Sequence, residues 1–480
     1  MSRAIGAIVA TLVVGTGCGD NLERQGLTSD QLLARLREIP GVTADMAPTQ
    51  QKDVHYFILH FTQPIDHSDP SQGTFQQEVS LLHRSNLESV PVIIQTSGYA
   101  DYNLDHPVEL TTLLAANQVS IEHRYYGESR PVPTDWTKLT IAQMAADEHA
   151  IIDALHKIYQ GAFLTTGGSK GGMTAVYHRR FYPDDVNGTV AYVAPISFGI
   201  PDPRYAPFLD TLGPADCRQA VRDVATEMLA NRRDAMMARA QQQTAHTYTR
   251  VAIGPAVEAS IASLEWTFWQ YFGVRACGTV PAVTVSDDEL FAFLDKISPV
   301  SECDDQQLAH FEPYYYQSYA QLGFPDGGAA YLTDFLWYSE EDYEHELPVA
   351  EPNYDASAMR DIYDFVEHHG EHLLFIYGEW DPWTAGKFGI DKAIDSQLLV
   401  QPQGTHGARI ESLEPRDREV VFGMLASWTG VVPIASSVHR ADGETGPDAG
   451  PDAGPDAGDE IDEARPRGSP ALLRALRVRK

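Results

Sequence analysis

The chain has 480 residues, of which 43% are hydrophobic, 10% aromatic and 21% charged, a globular composition that excludes a fibrous or wholly unstructured protein. Its 35 Lys and Arg face 67 Asp and Glu, and the net charge of −32 repels phosphate backbones, so no nucleic-acid partner is expected. That length suits one large domain or two ordinary ones.

After Arg3, residues 4–14 form an apolar run with the layout of a signal peptide, too short for a comfortable membrane span. The Gly-Thr-Gly at 15–17 then leads into Cys18, and small residues before a Cys resemble a bacterial lipobox. The reading is a lipoprotein-type signal at 1–17 with Cys18 lipidated as the mature N-terminus. Gly15 stands where the usual Leu would be, and ordinary secretion is the alternative. Either route exports the chain to the cell envelope or beyond, with a lipid anchor at Cys18 as the one expected membrane contact. Residues 18–50 read as a linker.

Segments 56–61 and 75–82 predict an early antiparallel pair. Segments 92–96 and 119–123 read as buried strands separated by a helix over 108–117. From 140 to 159, Ile141, Met144, Ala145, Ile151, Ile152, Leu155 and Ile158 fall at helical spacing, with Thr140 able to cap. A strand at 163–166, a Gly-rich turn, a helix over 173–182 and a strand at 189–194 follow. Such alternation predicts an α/β fold, a mostly parallel sheet covered by helices on both faces, with its first part at 51–201.

Residues 202–359 are helical and aromatic and read as an inserted cap, with helices at 221–243, 264–272 and 313–319. The sheet signal resumes at 372–377 and 397–400, and a helix over 416–428 closes the second part of the core, 360–432. Residues 433–480 form a tail: Pro-Asp-Ala-Gly repeats through 446–458, and the basic stretch 470–480 reads as a frayed end. Apart from Cys18, the cysteines are Cys217, Cys277 and Cys303, room for one disulfide and one thiol with the pairing left open. No Cys-x-x-Cys occurs, so no structural zinc is expected.

The chemistry falls at strand ends. Gly-Gly-Ser-Lys-Gly at 167–171 has the form Gly-x-Ser-x-Gly between an apolar strand and a helix. A sharp turn there needs neighbours without a Cβ, lifts the Ser169 hydroxyl above the sheet and aims the Lys170 N–H at a developing oxyanion. A serine nucleophile needs a base, and the base an orienting acid, in the chain order Ser, acid, His. Asp381, in the loop after 375–378, supplies the acid, with Glu379 as the competing carboxylate, and His406 supplies the base after the last strand. A second oxyanion donor is expected from Tyr99 N–H beside Gly98, which can also be a plain turn glycine. The Glu and His residues at 367–372 read as a solvated helix end rather than metal ligands, and the acidic run 340–346 as a solvated face. The aromatics at 266–272 and 314–319 suit equally a cap core or a substrate wall.

Three blocks carry a resemblance: Gly-Gly-Ser-Lys-Gly-Gly-Met at 167–173, His-Arg-Arg-Phe-Tyr-Pro at 178–183, and Gly-Thr-Val-Ala-Tyr-Val-Ala-Pro at 188–195. They resemble serine peptidase family 37, secreted bacterial tripeptidyl and prolyl aminopeptidases. Glu-His-Arg-Tyr-Tyr-Gly-Glu-Ser at 122–129 is similar to the related family of prolyl carboxypeptidase and dipeptidyl peptidase II, and 268–271 and 314–317 resemble cap segments. The resemblance implies an α/β-hydrolase core with a helical cap and a triad of Ser169, Asp381 and His406. It implies an exopeptidase without cofactor that acts on peptides with free N-termini, often at proline. A cap carboxylate would then hold the substrate ammonium; Glu265 beside Trp266 is the candidate, with a structural salt bridge as the alternative. A carboxylesterase with the same triad and a non-catalytic surface lipoprotein are the other two readings.

Overall fold

The computed structural model describes residues 26–101, 105–339, 341–343 and 347–434. The expected signal peptide, Cys18, the repeat tail and part of the acidic run lie outside the described residues. Nine strands form one sheet: β1 (Val42–Ala47), β2 (His55–Pro64), β3 (Thr74–His83), β4 (Val92–Thr96), β5 (Asn117–Ile121), β6 (Phe163–Gly168), β7 (Gly188–Tyr192), β8 (Leu373–Gly378) and β9 (Gln397–Gln401). Their spatial order is β1-β2-β3-β5-β4-β6-β7-β8-β9. The first three pair antiparallel, as do β3 and β5, and every pair from β5 to β9 is parallel.

Side-chain alternation divides the core. In β4, Ile94 packs with Ile151, Ile152 and Leu155 of the helix Ile141–His156. Its neighbour Ile93 points the other way, toward Leu110 and Leu113 and toward Val421 and Leu425 of the closing helix Pro415–Thr429. Burial on both faces explains why consecutive residues of β4, Val92, Ile93 and Ile94, are all apolar. Thr140 caps its helix as expected, accepting from Gln143 N.

Two expectations need correction. Residues 18–50 are not all linker: 29–37 form a helix started by a capping box between Thr28 and Gln31, and β1 pairs along β2. Leu32 and Leu36 are fully buried, and Leu32, Leu33, Ala34 and Leu36 cover little more than one turn, too short a run to stand out as a period. The expected helix 221–243 is two, Ala215–Asn231 and Arg233–Ala240. The chain leaves helical geometry at Arg232 (φ −123°), whose guanidinium ties Glu227 and Asp287, each at 2.9 Å.

The cap is fastened internally by a disulfide between Cys217 and Cys277, while Cys303 is buried outside it. Its aromatics meet the core as rings: Trp266 lies 5.2 Å from Trp383, and Trp136 lies 5.2 Å from Tyr316, centroid to centroid. One continuous apolar cluster therefore spans cap and core. Among the described residues, no helix is long and apolar enough to cross a membrane.

Candidate active site

Strand β6 ends at Gly168 and the helix Lys170–Phe181 begins two residues later, leaving Ser169 alone to make the turn. It does so at φ 53° and ψ −125°, a strained backbone for a residue with a Cβ. The turn is anchored on both sides: Ser169 N donates to Tyr192 O at 2.9 Å, and Ser169 O accepts from Met173 N at 2.9 Å. Gly171 permits it, because a Cβ there would collide with the Thr96 and Ser97 carbonyls. Thr96 Oγ1 adds a bond to Gly171 O at 2.7 Å.

Asp381 and His406 follow β8 and β9. Because β6, β7, β8 and β9 are consecutive and parallel, their C-terminal ends share one edge, and Ser169, Asp381 and His406 all lie just beyond it. His406 Nδ1 meets Asp381 Oδ2 at 2.6 Å, with both side chains wholly buried. The other carboxylate oxygen accepts from Trp383 N at 3.1 Å, and His406 N donates to Gln270 O of the cap at 2.8 Å. His406 Nε2 is buried and has no hydrogen-bond partner among the described residues. Glu379 is engaged elsewhere, accepting from Gln403 N at 2.7 Å, so the competition between the two acids resolves to Asp381 as the partner of His406.

The loop after β4 lies against this elbow. Gly98 adopts φ +74°, and a Cβ on it would sit 2.6 Å from Gly171 N. Tyr99 N–H, the expected oxyanion donor, is turned to Ser97 Oγ at 3.1 Å. Lys170 is buried, its Nζ donating to Gly98 O at 2.5 Å and lying 5.4 Å and 5.9 Å from the centroids of the Tyr99 and Tyr126 rings. Burial lowers its pKa to about 7, with the charge of Glu148 opposing.

The substrate-binding expectation is corrected. Arg222 Nε grips both Glu265 oxygens, at 2.9 and 2.8 Å, so this carboxylate is already paired within the cap and the salt-bridge alternative holds. Burial pushes the Glu265 carboxyl up to about 7 against the pull of Arg222. Trp266 is 1% exposed and bonds Gln270 Oε1 at 3.1 Å, a cap-core residue that supports the loop carrying Asp381.

Sequence reasoning missed what the 122–129 block does. Arg124, fully buried, forks onto both oxygens of Asp147 at 2.6 and 2.8 Å and also donates to Ile65 O and Lys138 O. Glu122 accepts from Ser129 Oγ at 2.8 Å and closes the same turn. A charged pair spread over separate elements leaves no local spacing to read. The residues at 367–372 do lie at a helix end, the helix Ser357–His369, where His368 pairs with Asp364 at 3.3 Å.

A mostly parallel sheet, a strained serine at a strand-to-helix elbow and a buried Asp–His pair at the adjoining strand ends define an α/β-hydrolase. The sequence profile of PS-10 peptidase S37 matches residues 28–466, and the chain belongs to that family and is a serine peptidase. It is 36% identical over 454 residues to the prolyl tri/tetrapeptidyl aminopeptidase of Streptomyces mobaraensis, covering 91% of this chain and 94% of that one. The lysosomal Pro-X carboxypeptidase of Mus musculus is 31% identical over 175 residues, 33% of this chain and 36% of the relative. Among solved structures, an alpha/beta hydrolase fold protein from Nakamurella multipartita matches at TM-score 0.30 and 14% identity, covering 74% of this chain and 95% of its own.

Proposed function

We propose that the protein is an exported serine aminopeptidase that releases short peptides, tripeptides or units ending at proline, from free N-termini through an acyl-enzyme at Ser169. The observation that carries this reading is the buried Asp381–His406 pair, whose remaining ring nitrogen has no hydrogen-bond partner among the described residues, at the strand edge that also holds the Ser169 elbow. The long match to a tri/tetrapeptidyl aminopeptidase supports the substrate class.

In this mechanism Ser169 Oγ adds to the scissile carbonyl carbon while its proton passes to His406 Nε2, and Asp381 stabilises the imidazolium. Lys170 N–H and the loop at Tyr99 receive the oxyanion; for the Tyr99 amide this requires release of, or sharing with, its bond to Ser97 Oγ. The imidazolium then protonates the leaving amine as the C–N bond breaks. Water adds to the ester through the same base, and Ser169 recovers its proton as the released peptide departs.

Export rests on the 1–17 segment, with Cys18 as the lipid-bearing residue, and the cap disulfide is in keeping with an oxidising compartment. The test is turnover of tripeptidyl-chromophore substrates with free and N-acetylated termini by the wild type and Ser169→Ala. Loss of turnover in the variant, with fluorophosphonate labelling of the wild type at residue 169, is the expected result. Equal cleavage of acetylated peptides, or a preference for short acyl esters, overturns the aminopeptidase reading. Mass analysis of the exported chain tests lipidation at Cys18.

A further inference from the structure

We propose that the Lys170 side chain is a positioning residue for the oxyanion site, its amine clasping the loop after β4 to the nucleophile elbow through the Gly98 carbonyl. The inference rests on the reading of Ser169 as nucleophile and goes beyond it. Lys170 is the first residue of the elbow helix, so its own N–H faces the expected oxyanion. Its side chain turns back instead of reaching solvent: it is 2% exposed, with Nζ 2.5 Å from Gly98 O.

That carbonyl belongs to the same peptide unit as Tyr99 N–H. A peptide is planar with C=O and N–H opposed, so fixing the oxygen fixes the direction of the hydrogen. One side chain thus governs both expected donors, the first through the chain it sits on and the second through the plane it holds. The other tether on this peptide, Ser97 Oγ on Tyr99 N at 3.1 Å, also reaches Ile121 O at 3.2 Å and so ties the loop to β5, whereas Lys170 ties it to the nucleophile elbow. The close seat of Gly98 against Gly171 N gives the clasp a fixed geometry to hold.

An uncharged residue could fill this space at lower desolvation cost, so the buried amine points to a demand beyond packing. No acid touches it. The groups that face it are the rings of Tyr99 and Tyr126, His123 beyond β5, and Glu148 on the helix Ile141–His156, with Arg124 next to His123 and His310 against Tyr126. Burial and the Lys170 charge together hold the His123 imidazole well below its ordinary range, so it adds no competing cation. Glu148 is buried and has one oxygen without a hydrogen-bond partner among the described residues; burial and the charge of Asp147 push its carboxyl well above its ordinary range, the Lys170 charge pulls it back, and the two groups act on each other through space. Lys170 therefore carries its full charge only on the acid side of about 7, and the neutral amine is the weaker donor to Gly98 O.

The experiment compares the wild-type chain with Lys170→Met and Glu148→Gln, measuring kcat, KM and the rate of fluorophosphonate inactivation from about pH 5 to about pH 9. Lys170→Met is expected to lose about tenfold to hundredfold in kcat and in inactivation rate with KM nearly unchanged, and to lose the alkaline limb that Lys170 sets. Glu148→Gln is expected to keep kcat on the acid side and to move that limb to lower pH, because the ammonium loses its supporting charge. A folded Lys170→Met within about threefold of wild-type kcat, or a Glu148→Gln limb that does not move, overturns the proposal. Should Lys170→Met fail to fold, the Glu148→Gln profile decides alone. Slow but complete labelling of Lys170→Met at Ser169 marks a displaced oxyanion site, whereas a wild type that is not labelled there marks failure of the Ser169 assignment itself.

Discussion

His406 presents Nδ1 to Asp381 at 2.6 Å with neither side chain exposed to solvent, while Glu379, two residues before Asp381, spends its carboxylate on the Gln403 amide. A buried pair of this kind fixes the tautomer of the imidazole and stabilises it once protonated. Asp381→Asn is therefore expected to lower kcat about 10⁴-fold, and Glu379→Gln to change it by less than about fivefold, in steady-state assays on an unblocked tripeptidyl substrate. The reverse ranking would hand the orienting role to Glu379.

Arg124 and Asp147 form a fully buried fork that also ties down the backbone at Ile65 and Lys138. Removing Arg124 leaves the buried Asp147 carboxylate with His67 at 2.7 Å in place of its two-pronged guanidinium partner. Arg124→Met should destabilise the fold by about 3–5 kcal/mol in chemical denaturation, and the pair Arg124→Met with Asp147→Asn by less than the sum of the two single changes. Simple additivity would mean that the two charges do not depend on each other.

Glu265 and Arg222 hold one another inside the cap. Glu265→Gln should therefore lower the thermal midpoint while leaving KM for an unblocked peptide within about twofold. A rise in KM confined to substrates with a free amine would restore this carboxylate to the substrate site.

The Cys217–Cys277 bridge spans 60 residues of sequence. Closing a loop of that length restricts the unfolded chain, and Cys217→Ser with Cys277→Ser should cost about 4 kcal/mol, read as a lower denaturant midpoint that no longer responds to reductant. Cys303→Ser should leave the response to reductant intact.

Glu78 sits partly buried on β3. Burial, then the charges of Glu122, Asp101 and Glu128, push its carboxyl up to about 7, with His60 3.8 Å away. With the folded value above the unfolded one, the stability that this group contributes is present below about pH 4.5 and is lost as pH rises through about 7. Glu78→Gln should accordingly match the wild type in thermal midpoint near about pH 4.5 and exceed it near about pH 8. An equal difference at both pH values would show that repulsion at this site does not titrate.

The order Ser169, Asp381, His406 was legible because each follows a short run of apolar residues, Phe163 and Leu164 in β6, residues 373–376 in β8 and 398–400 in the half-buried edge strand β9. The opening helix 29–37 was not, since its core contacts come from Leu32, Leu33 and Leu36, which cover little more than one turn. Glu265 was misjudged for a related reason. A carboxylate beside a tryptophan reads the same in sequence whether it awaits an ammonium or is matched by an arginine 43 residues earlier.

Sequence by itself determined the elements, their alternation, the inserted cap and the residue types at three strand ends, because these are set by local periodicity and backbone sterics. Only the tertiary structure decided which acid meets His406, where Arg124 and Glu265 find their opposite charges, and that Lys170 turns inward to Gly98. Those choices join residues far apart in the chain, and they are made by the cost of leaving a buried charge or donor without a partner, a cost that exists only once the surrounding elements have excluded water.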